Sequence, residues 1–178
     1  MTGLWQLRVV PHIASPESIV TRMLELGRVS PADLVYDIGA GDGRIVIAAC
    51  TKFGARAVGI EIDGTLVRLA RKRIKQAGVE DLATIERADF FEADIHDATV
   101  VTLYLLPKIN ARLTRMLEEQ LQDGARVVSH CFRIPGWNPV AVGEAPFLRS
   151  KRAIYVYEMG KHREREAGGK IGPLAAVP

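Results

Sequence analysis

Cysteine is scarce in this chain of 178 residues, which contains only Cys50 and Cys131. The two lie far apart and match neither a CxxC motif nor a disulfide framework, so we predict buried free thiols. Long hydrophobic runs are also missing, because no window approaches the roughly 18 apolar residues of a membrane-spanning helix. The first residues lack the basic-then-apolar plan of a signal peptide. These absences predict a cytoplasmic protein that does not enter a membrane.

Aromatic residues make up only 6% of the sequence, and the net charge is a mild +3. Without a dense basic patch interleaved with aromatics, the composition does not favour nucleic acid as a partner. Metal ligands are sparse as well. The acidic run of Glu92, Asp94, His96 and Asp97 has no matching ligands elsewhere in the sequence, so no metal site is predicted.

What the chain does contain is a regular alternation of apolar strands and amphipathic helices. Ser15-Pro16-Glu17 has the residue types of a helix start, with serine as the N-cap. Two final strands, near 140–145 and 152–158, follow each other without a helix. The pattern predicts an α/β fold with a mostly parallel sheet, helices on both faces and a C-terminal antiparallel hairpin at one edge. The predicted helices cover 16–26, 44–53, 65–77 and 107–121, and the earlier strands cover 34–39, 56–63, 83–88, 98–106 and 125–132.

The stretch VYDIGAGDGR, residues 35–44, leads the first predicted strand into a turn rich in glycine. A phosphate-binding P-loop would need the pattern GxxxxGK[ST], which is absent. The spacing also differs from the GxGxxG of dinucleotide sites, and Asp42 would repel a pyrophosphate. Asp37 and Asp42 instead suit a cofactor that carries positive charge and no phosphate, such as S-adenosylmethionine.

Acidic residues also follow the next two strands. Glu61 closes the second strand about 20 residues after the glycines, where an acid can accept hydrogen bonds from both hydroxyls of a ribose. Asp89 follows the third strand, where a carboxylate can take the amino proton of adenine and Phe90 can flank the ring. Because the carboxyl ends of parallel strands line one crevice, the three acids together predict a site for an adenosine cofactor.

The segments DIGAGDGR, GIEID and ADFF, on seven strands ending in a hairpin, resemble the class I S-adenosylmethionine-dependent methyltransferases. VVPHIASPESIVTRMLELGRV, TVVTLYLLPKINARL and ARVVSHCFRIPGWNP resemble the small archaeal protein-lysine methyltransferases of broad specificity. They resemble, more distantly, the lysine methyltransferases of the ATP synthase c subunit. The likeness runs from Val10 to Glu158. The chain has His12 and Ser15 where that family usually has tyrosine and threonine.

The resemblance implies a Rossmann-like seven-stranded methyltransferase sheet, S-adenosylmethionine as cofactor and a protein substrate that presents lysine. It also implies that the N-terminal segment through His12 and Ser15 contacts the cofactor. With the acids above, the predicted cofactor-binding set is Asp37, Gly39, Ala40, Gly41, Asp42, Glu61, Ile62, Asp89, Phe90, Leu105 and Ser15.

The acceptor is expected near the end of the fourth strand, at Tyr104 and Leu105. Tyr104 either orients the acceptor amine or fills the core beside the strand, and both interpretations stay open. His12 is either a contact on the substrate side or an ordinary surface histidine. His130 and Cys131 are predicted to lie in the core and Trp137 to anchor a turn. Because burial beside a sulfonium lowers the pKa of a lysine, a dedicated base is not required.

The chain divides into a partial lid over residues 1–14, a methyltransferase domain over 15–159 and a flexible tail over 160–178. With no inserted domain to enclose a small molecule, the open face suits a side chain on a macromolecule. Two alternatives remain: a methyltransferase for a small amine or a tRNA base, and a non-catalytic module that keeps only cofactor binding.

Overall fold

The computed structural model describes residues 15–148 and 150–163, and within them seven strands form a single sheet. The strands are β1 (Leu34–Ile38), β2 (Arg56–Glu61), β3 (Ala83–Arg87), β4 (Val100–Leu103), β5 (Arg126–His130), β6 (Ala141–Phe147) and β7 (Ser150–Glu158). The helices are α1 (Glu17–Leu26), α2 (Arg44–Phe53), α3 (Gly64–Ala77) and α4 (Pro107–Gln120).

The sheet has the strand order β3-β2-β1-β4-β5-β7-β6. The first five strands are parallel, whereas β7 runs antiparallel to both β5 and β6. This confirms the predicted sheet with its terminal antiparallel hairpin, and β3 and β6 are its two edge strands. The arrangement places the carboxyl ends of β1, β2 and β4 next to one another.

The core consists of two apolar layers, one on each face of the sheet. Side chains of α1, α2 and α3 pack in one layer, and those of α4 pack in the other. Neighbouring strand residues alternate between the layers: Val100 belongs to the first and Val101 to the second. Both are fully buried, as expected for a parallel strand covered by helices on both faces. Because both faces of the sheet are covered, its polar residues lie at the carboxyl ends of the strands, which we call the carboxyl edge.

The start of α1 differs from its prediction. Its N-cap residue is Pro16, without a side-chain cap hydrogen bond, so the predicted serine cap is wrong. Ser15 is buried, and its Oγ lies 3.3 Å from Nδ1 of His130 on β5. The Ser15 side chain thus contacts a residue 115 positions away and does not cap the helix. Strand β4 is also shorter than predicted, so Tyr104 and Leu105 lie in the connection to α4.

The C-terminal end of the described chain packs on Trp137. Its indole Nε1 donates to Oε1 of Glu118 at 2.9 Å, and its ring lies 5.5 Å from that of Tyr157 and 4.4 Å from that of His162. Trp137 is therefore the packing anchor that the sequence predicted. The predicted tail begins with a turn over Gly160–Arg163. The rest of it, like the predicted lid, lies outside the described residues.

Cys50 is a buried free thiol, as predicted. Cys131 is also free but only half-buried, because β5 ends at His130, so its predicted place in the core is wrong. Within residues 15–148 and 150–163, no helix is both long and apolar enough to cross a membrane. In the same part of the chain, no group of three or more metal-ligating side chains is placed to hold an ion.

Candidate active site

The glycine turn between β1 and α2 is bonded to the end of β2. The backbone N–H groups of Gly39 and Ala40 both donate to the carbonyl of Ile60, at 2.9 and 3.0 Å. Gly39 and Gly43 have φ angles of +80° and +78°, a conformation that favours glycine because it has no Cβ. The turn therefore needs glycine for its backbone shape.

Glu61 holds this turn from the neighbouring strand. Its Oε2 accepts the N–H of Gly41 at 2.9 Å, and its Oε1 accepts the N–H of Asp63 at 2.8 Å. The side chain is buried. Each carboxylate oxygen has two lone pairs, so both oxygens can accept a further hydrogen bond from a ligand hydroxyl. Glu61 thus combines a structural role with the acceptor capacity predicted from its position.

Asp37 is a buried carboxyl near the end of β1. Its Oδ1 accepts a hydrogen bond of 2.7 Å from Oγ1 of Thr102 on the adjacent β4. Burial, with the charges of Glu61 and Asp42 adding to it, raises the pKa of Asp37 to about 7. The ionised form is therefore costly until a positive charge arrives. A cofactor with an ammonium and a sulfonium group fits this carboxyl.

Asp42 has its charge partners inside the protein. Its carboxylate receives Nε and Nη2 of Arg44 at 2.9 and 2.6 Å and also pairs with Arg73. Burial opposes its ionisation, but the hydrogen bonds and charge of Arg44, with the charge of Arg73, lower the pKa of Asp42 to about 2. The sequence predicted that Asp42 faces a cationic ligand. In the structure, two arginines already neutralise its carboxylate.

The remaining predicted cofactor residues lie at the same edge or on the loop after β3. The side chain of Leu105 borders Gly39, because a Cβ on that glycine would lie 3.3 Å from the leucine Cδ2. Ile62 follows Glu61 and is 41% exposed, which is open for a large apolar residue. On the loop, Oδ1 of Asp89 accepts the N–H of Phe91 at 3.0 Å, and the Phe90 and Phe91 rings are 4.7 Å apart.

Tyr104, the predicted acceptor-side residue, packs on His130. The ring centroids are 4.0 Å apart at an angle of 34°. His130 is the last residue of β5 and is buried, as predicted, but its position beside Tyr104 was not foreseen. Burial, and secondly the charge of Arg152, lower the pKa of His130 to about 4. Its imidazole is therefore neutral at physiological pH. His12 lies outside the described residues.

Comparisons with known proteins show which family the chain belongs to. The sequence profile of the ANTKMT methyltransferase domain matches residues 37–141, which begin at Asp37 and include the carboxyl ends of β1 to β5. The chain belongs to this family. It is an S-adenosylmethionine-dependent methyltransferase, as predicted.

Several curated relatives carry lysine in their names. A protein-lysine N-methyltransferase of Saccharolobus islandicus strain REY15A is 45% identical over 155 residues, which are 86% of this chain and 96% of that protein. The adenine nucleotide translocase lysine N-methyltransferase of Mus musculus is 39% identical over 75% of this chain. This chain spans only 58% of the length of that mouse protein.

A similar protein of known structure is described with RNA, not lysine, as its substrate. A crystal structure from Salinibacter ruber, described as an RNA methyltransferase in complex with S-adenosyl-L-homocysteine, has a TM-score of 0.78 and 46% identity. The match covers 90% of this chain and 99% of that one. The two descriptions agree on methyl transfer and differ in the acceptor.

Proposed function

We propose that this methyltransferase acts on lysine side chains of proteins. The main support is the likeness to the Saccharolobus islandicus enzyme, which extends over nearly the whole of both chains. The mammalian relatives named for the ATP synthase c subunit and the adenine nucleotide translocase add to it, since they too are named for lysine. A cytoplasmic location stays a prediction.

The cofactor is held, in this proposal, at the carboxyl ends of β1, β2 and β3. Asp37 faces the positive charge, Glu61 accepts from the ribose hydroxyls and Asp89 accepts from the adenine amino group. Asp42 acts indirectly, because its arginine pairs fix the turn. The neighbouring contacts come from Gly39, Ala40, Gly41, Ile62, Phe90 and Leu105. When bound, S-adenosylmethionine supplies a methyl group activated by a positively charged sulfur.

The chain's own contribution at the acceptor is orientation and control of charge. Tyr104 is half-buried, precedes Leu105 at the glycine turn, and offers a ring face and a hydroxyl to an amine. Arg152 is near enough to oppose protonation of His130, and it disfavours a protonated amine at the same place. A lysine, which normally has a pKa near 10.4, thereby enters in its neutral, nucleophilic form. Ser15 was predicted as a cofactor-binding residue; we propose instead that it lies on the acceptor side, because its hydroxyl faces His130.

RNA is the second candidate acceptor, since the Salinibacter ruber protein is described as an RNA methyltransferase. The basic residues of α3 are the natural surface to consider, but several of them have partners within the protein. Arg71 donates to the carbonyl of Ile85, Arg73 pairs with Asp42 and Arg68 donates to Thr65. Fewer free cations remain for phosphates, which favours the protein acceptor.

The experiment is to incubate the purified chain with labelled S-adenosylmethionine and with cell protein or cell RNA in parallel. We expect label in protein, recovered as methylated lysine after hydrolysis. Glu61→Ala serves as the control for cofactor-dependent labelling, and Glu86→Ala, an exposed glutamate on β3, is its matched partner. Label that appears in RNA and not in protein would replace the lysine proposal with the RNA one. Label in neither, with cofactor bound, would point to a small-molecule acceptor.

A further inference from the structure

Arg44 joins the glycine turn to Ser15, two residues before α1. Its guanidinium holds the Asp42 carboxylate through two N–H groups, and its Nη1 donates to the carbonyl of Ser15 at 2.7 Å. A planar guanidinium with fixed donors is well suited to hold a carboxylate and a carbonyl at defined positions. The cofactor turn and the backbone of Ser15 are therefore held in a common geometry.

Ser15 continues the connection across the sheet edge. Its hydroxyl meets Nδ1 of His130 at 3.3 Å, and the His130 ring packs against Tyr104. The other ring nitrogen, Nε2, is buried without a hydrogen-bond partner in the described part of the chain. Buried polar atoms are normally satisfied, so an unpartnered nitrogen at this place calls for an explanation.

We propose that Ser15 and His130 are positioning residues that fix Tyr104 for the acceptor and, through Arg44, hold it in register with the glycine turn. This inference rests on the proposed lysine acceptor and adds residues to the same site. The hydroxyl of Ser15 fixes the rotation of the imidazole, and the imidazole supports one face of the tyrosine ring. A misplacement of about 1 Å at such a point can lower the rate by about a hundredfold.

The chemistry of histidine suits this place for a second reason. A neutral imidazole gives the tyrosine a flat polar partner without adding positive charge beside a cationic cofactor. Arg152, from the adjacent β7, is the cation that opposes its protonation, and Cys131 is the neighbouring thiol. A phenylalanine would keep the ring contact and lose the bond to Ser15, so the two contributions can be separated by substitution.

The test compares Ser15→Ala, Ser15→Thr, His130→Ala and His130→Phe in the full chain. Cofactor Kd is measured by calorimetry, and kcat and KM for an acceptor protein are measured at saturating cofactor. We expect the cofactor Kd to stay within about twofold, while kcat/KM for the acceptor falls about tenfold or more in both alanine variants. Ser15→Thr should keep most of the activity because it retains the hydroxyl, and His130→Phe should lie between His130→Ala and the wild type. Ser18→Ala, an exposed serine on α1, is the matched control and should behave as wild type.

Coupling between the two positions gives a readout that a loss of stability would not produce. In the double variant Ser15→Ala/His130→Ala, the loss should be close to that of the worse single variant, because each change breaks the same contact. Strictly additive losses, or kcat/KM unchanged in both alanine variants at full cofactor occupancy, would refute the positioning role. If the wild-type chain labels no protein at all, it is the lysine proposal that fails, since cofactor-dependent labelling by the wild type precedes every comparison here.

Discussion

Asp37 makes the affinity for the cofactor depend on pH. In the folded, cofactor-free protein its pKa is about 7, so about half of the carboxyls are protonated at neutral pH. A cationic cofactor binds the ionised form, and the apparent Kd rises as that fraction falls. We expect binding to be about tenfold tighter at pH 8 than at pH 6, measured by calorimetry at several pH values.

Asp37→Asn is the control for this pH dependence. Asparagine keeps an oxygen that can accept from Thr102 but has no charge to lose, so the variant should bind weakly and show only the titration of the cofactor itself. The substitution should also stabilise the cofactor-free protein at pH 8 by at least about 1 kcal/mol. The sign follows from the pKa of Asp37, which is higher in the folded protein than in the unfolded one. As the pH rises through about 7, the wild-type carboxyl ionises in its buried site and its contribution to stability is lost, whereas asparagine does not ionise. Equal pH slopes for the two proteins would contradict the role of Asp37.

Glu61 contributes to the site in two ways that substitution can separate. Glu61→Ala removes both the acceptor for ribose hydroxyls and the bonds to Gly41 and Asp63, and we expect cofactor binding to weaken by about 1–3 kcal/mol. Glu61→Gln keeps one acceptor oxygen but turns an N–H group toward a backbone N–H, so it should weaken binding as well. Calorimetry gives both affinities, and Glu86→Gln on the exposed side of β3 should leave the affinity unchanged. Wild-type affinity in Glu61→Ala would exclude the ribose role.

At the scale of elements, β2 and the glycine turn touch at Gly59. A Cβ at this position would lie 2.6 Å from both the Cβ of Ala40 and Cδ1 of Ile85. We expect Gly59→Ala to destabilise the protein by about 1–3 kcal/mol, because two packed elements must separate. The shift reaches Ala40 in the turn, so cofactor affinity should fall as well. Gly143→Ala is the matched control. It crowds the side chain of Leu26 far from the turn and should affect unfolding, measured in urea, without changing cofactor affinity.

At the scale of elements, local sequence patterns predicted the fold well, whereas contacts between distant residues were not predictable. The parallel strands and their helices were predictable because apolar runs and glycine or proline boundaries are local. Asp37 and Glu61 were predictable as neighbours because parallel strands bring their carboxyl ends together, and the charge of Glu61 does act on Asp37. Ser15 and His130 were not, since their contact joins residues 115 positions apart and a local capping preference pointed elsewhere. The neutralisation of Asp42 by Arg73, which lies on α3, was hidden for the same reason.

For the whole molecule, the carboxyl ends of the strands, where we propose that the cofactor binds, lie opposite the ends that hold the turn after β7. The turn returns to the start of β5. There the N–H of Met159 donates to the carbonyl of Ala125, and the carbonyl of Met159 accepts from the N–H of Gly124. Met159 and His162 are both buried there. Because α4 runs back from the carboxyl edge, its residue Glu118 meets Trp137 near the amino edge. The packing of this turn is thus separated from the proposed cofactor site by the length of the strands.

Two shortened chains, one ending at Arg163 and one at Glu158, test this separation. The shorter chain loses two buried side chains, the packing of His162 on Trp137 and the bond from the N–H of Asn138 to the His162 carbonyl. We expect its melting temperature to lie about 5–10 °C below that of the chain ending at Arg163. Cofactor Kd, measured well below both transitions, should be the same in the two chains because the lost contacts are at the amino edge. Equal melting temperatures would mean that the turn contributes nothing to the fold, and a weaker Kd in the shorter chain would mean that the two edges are coupled through the sheet.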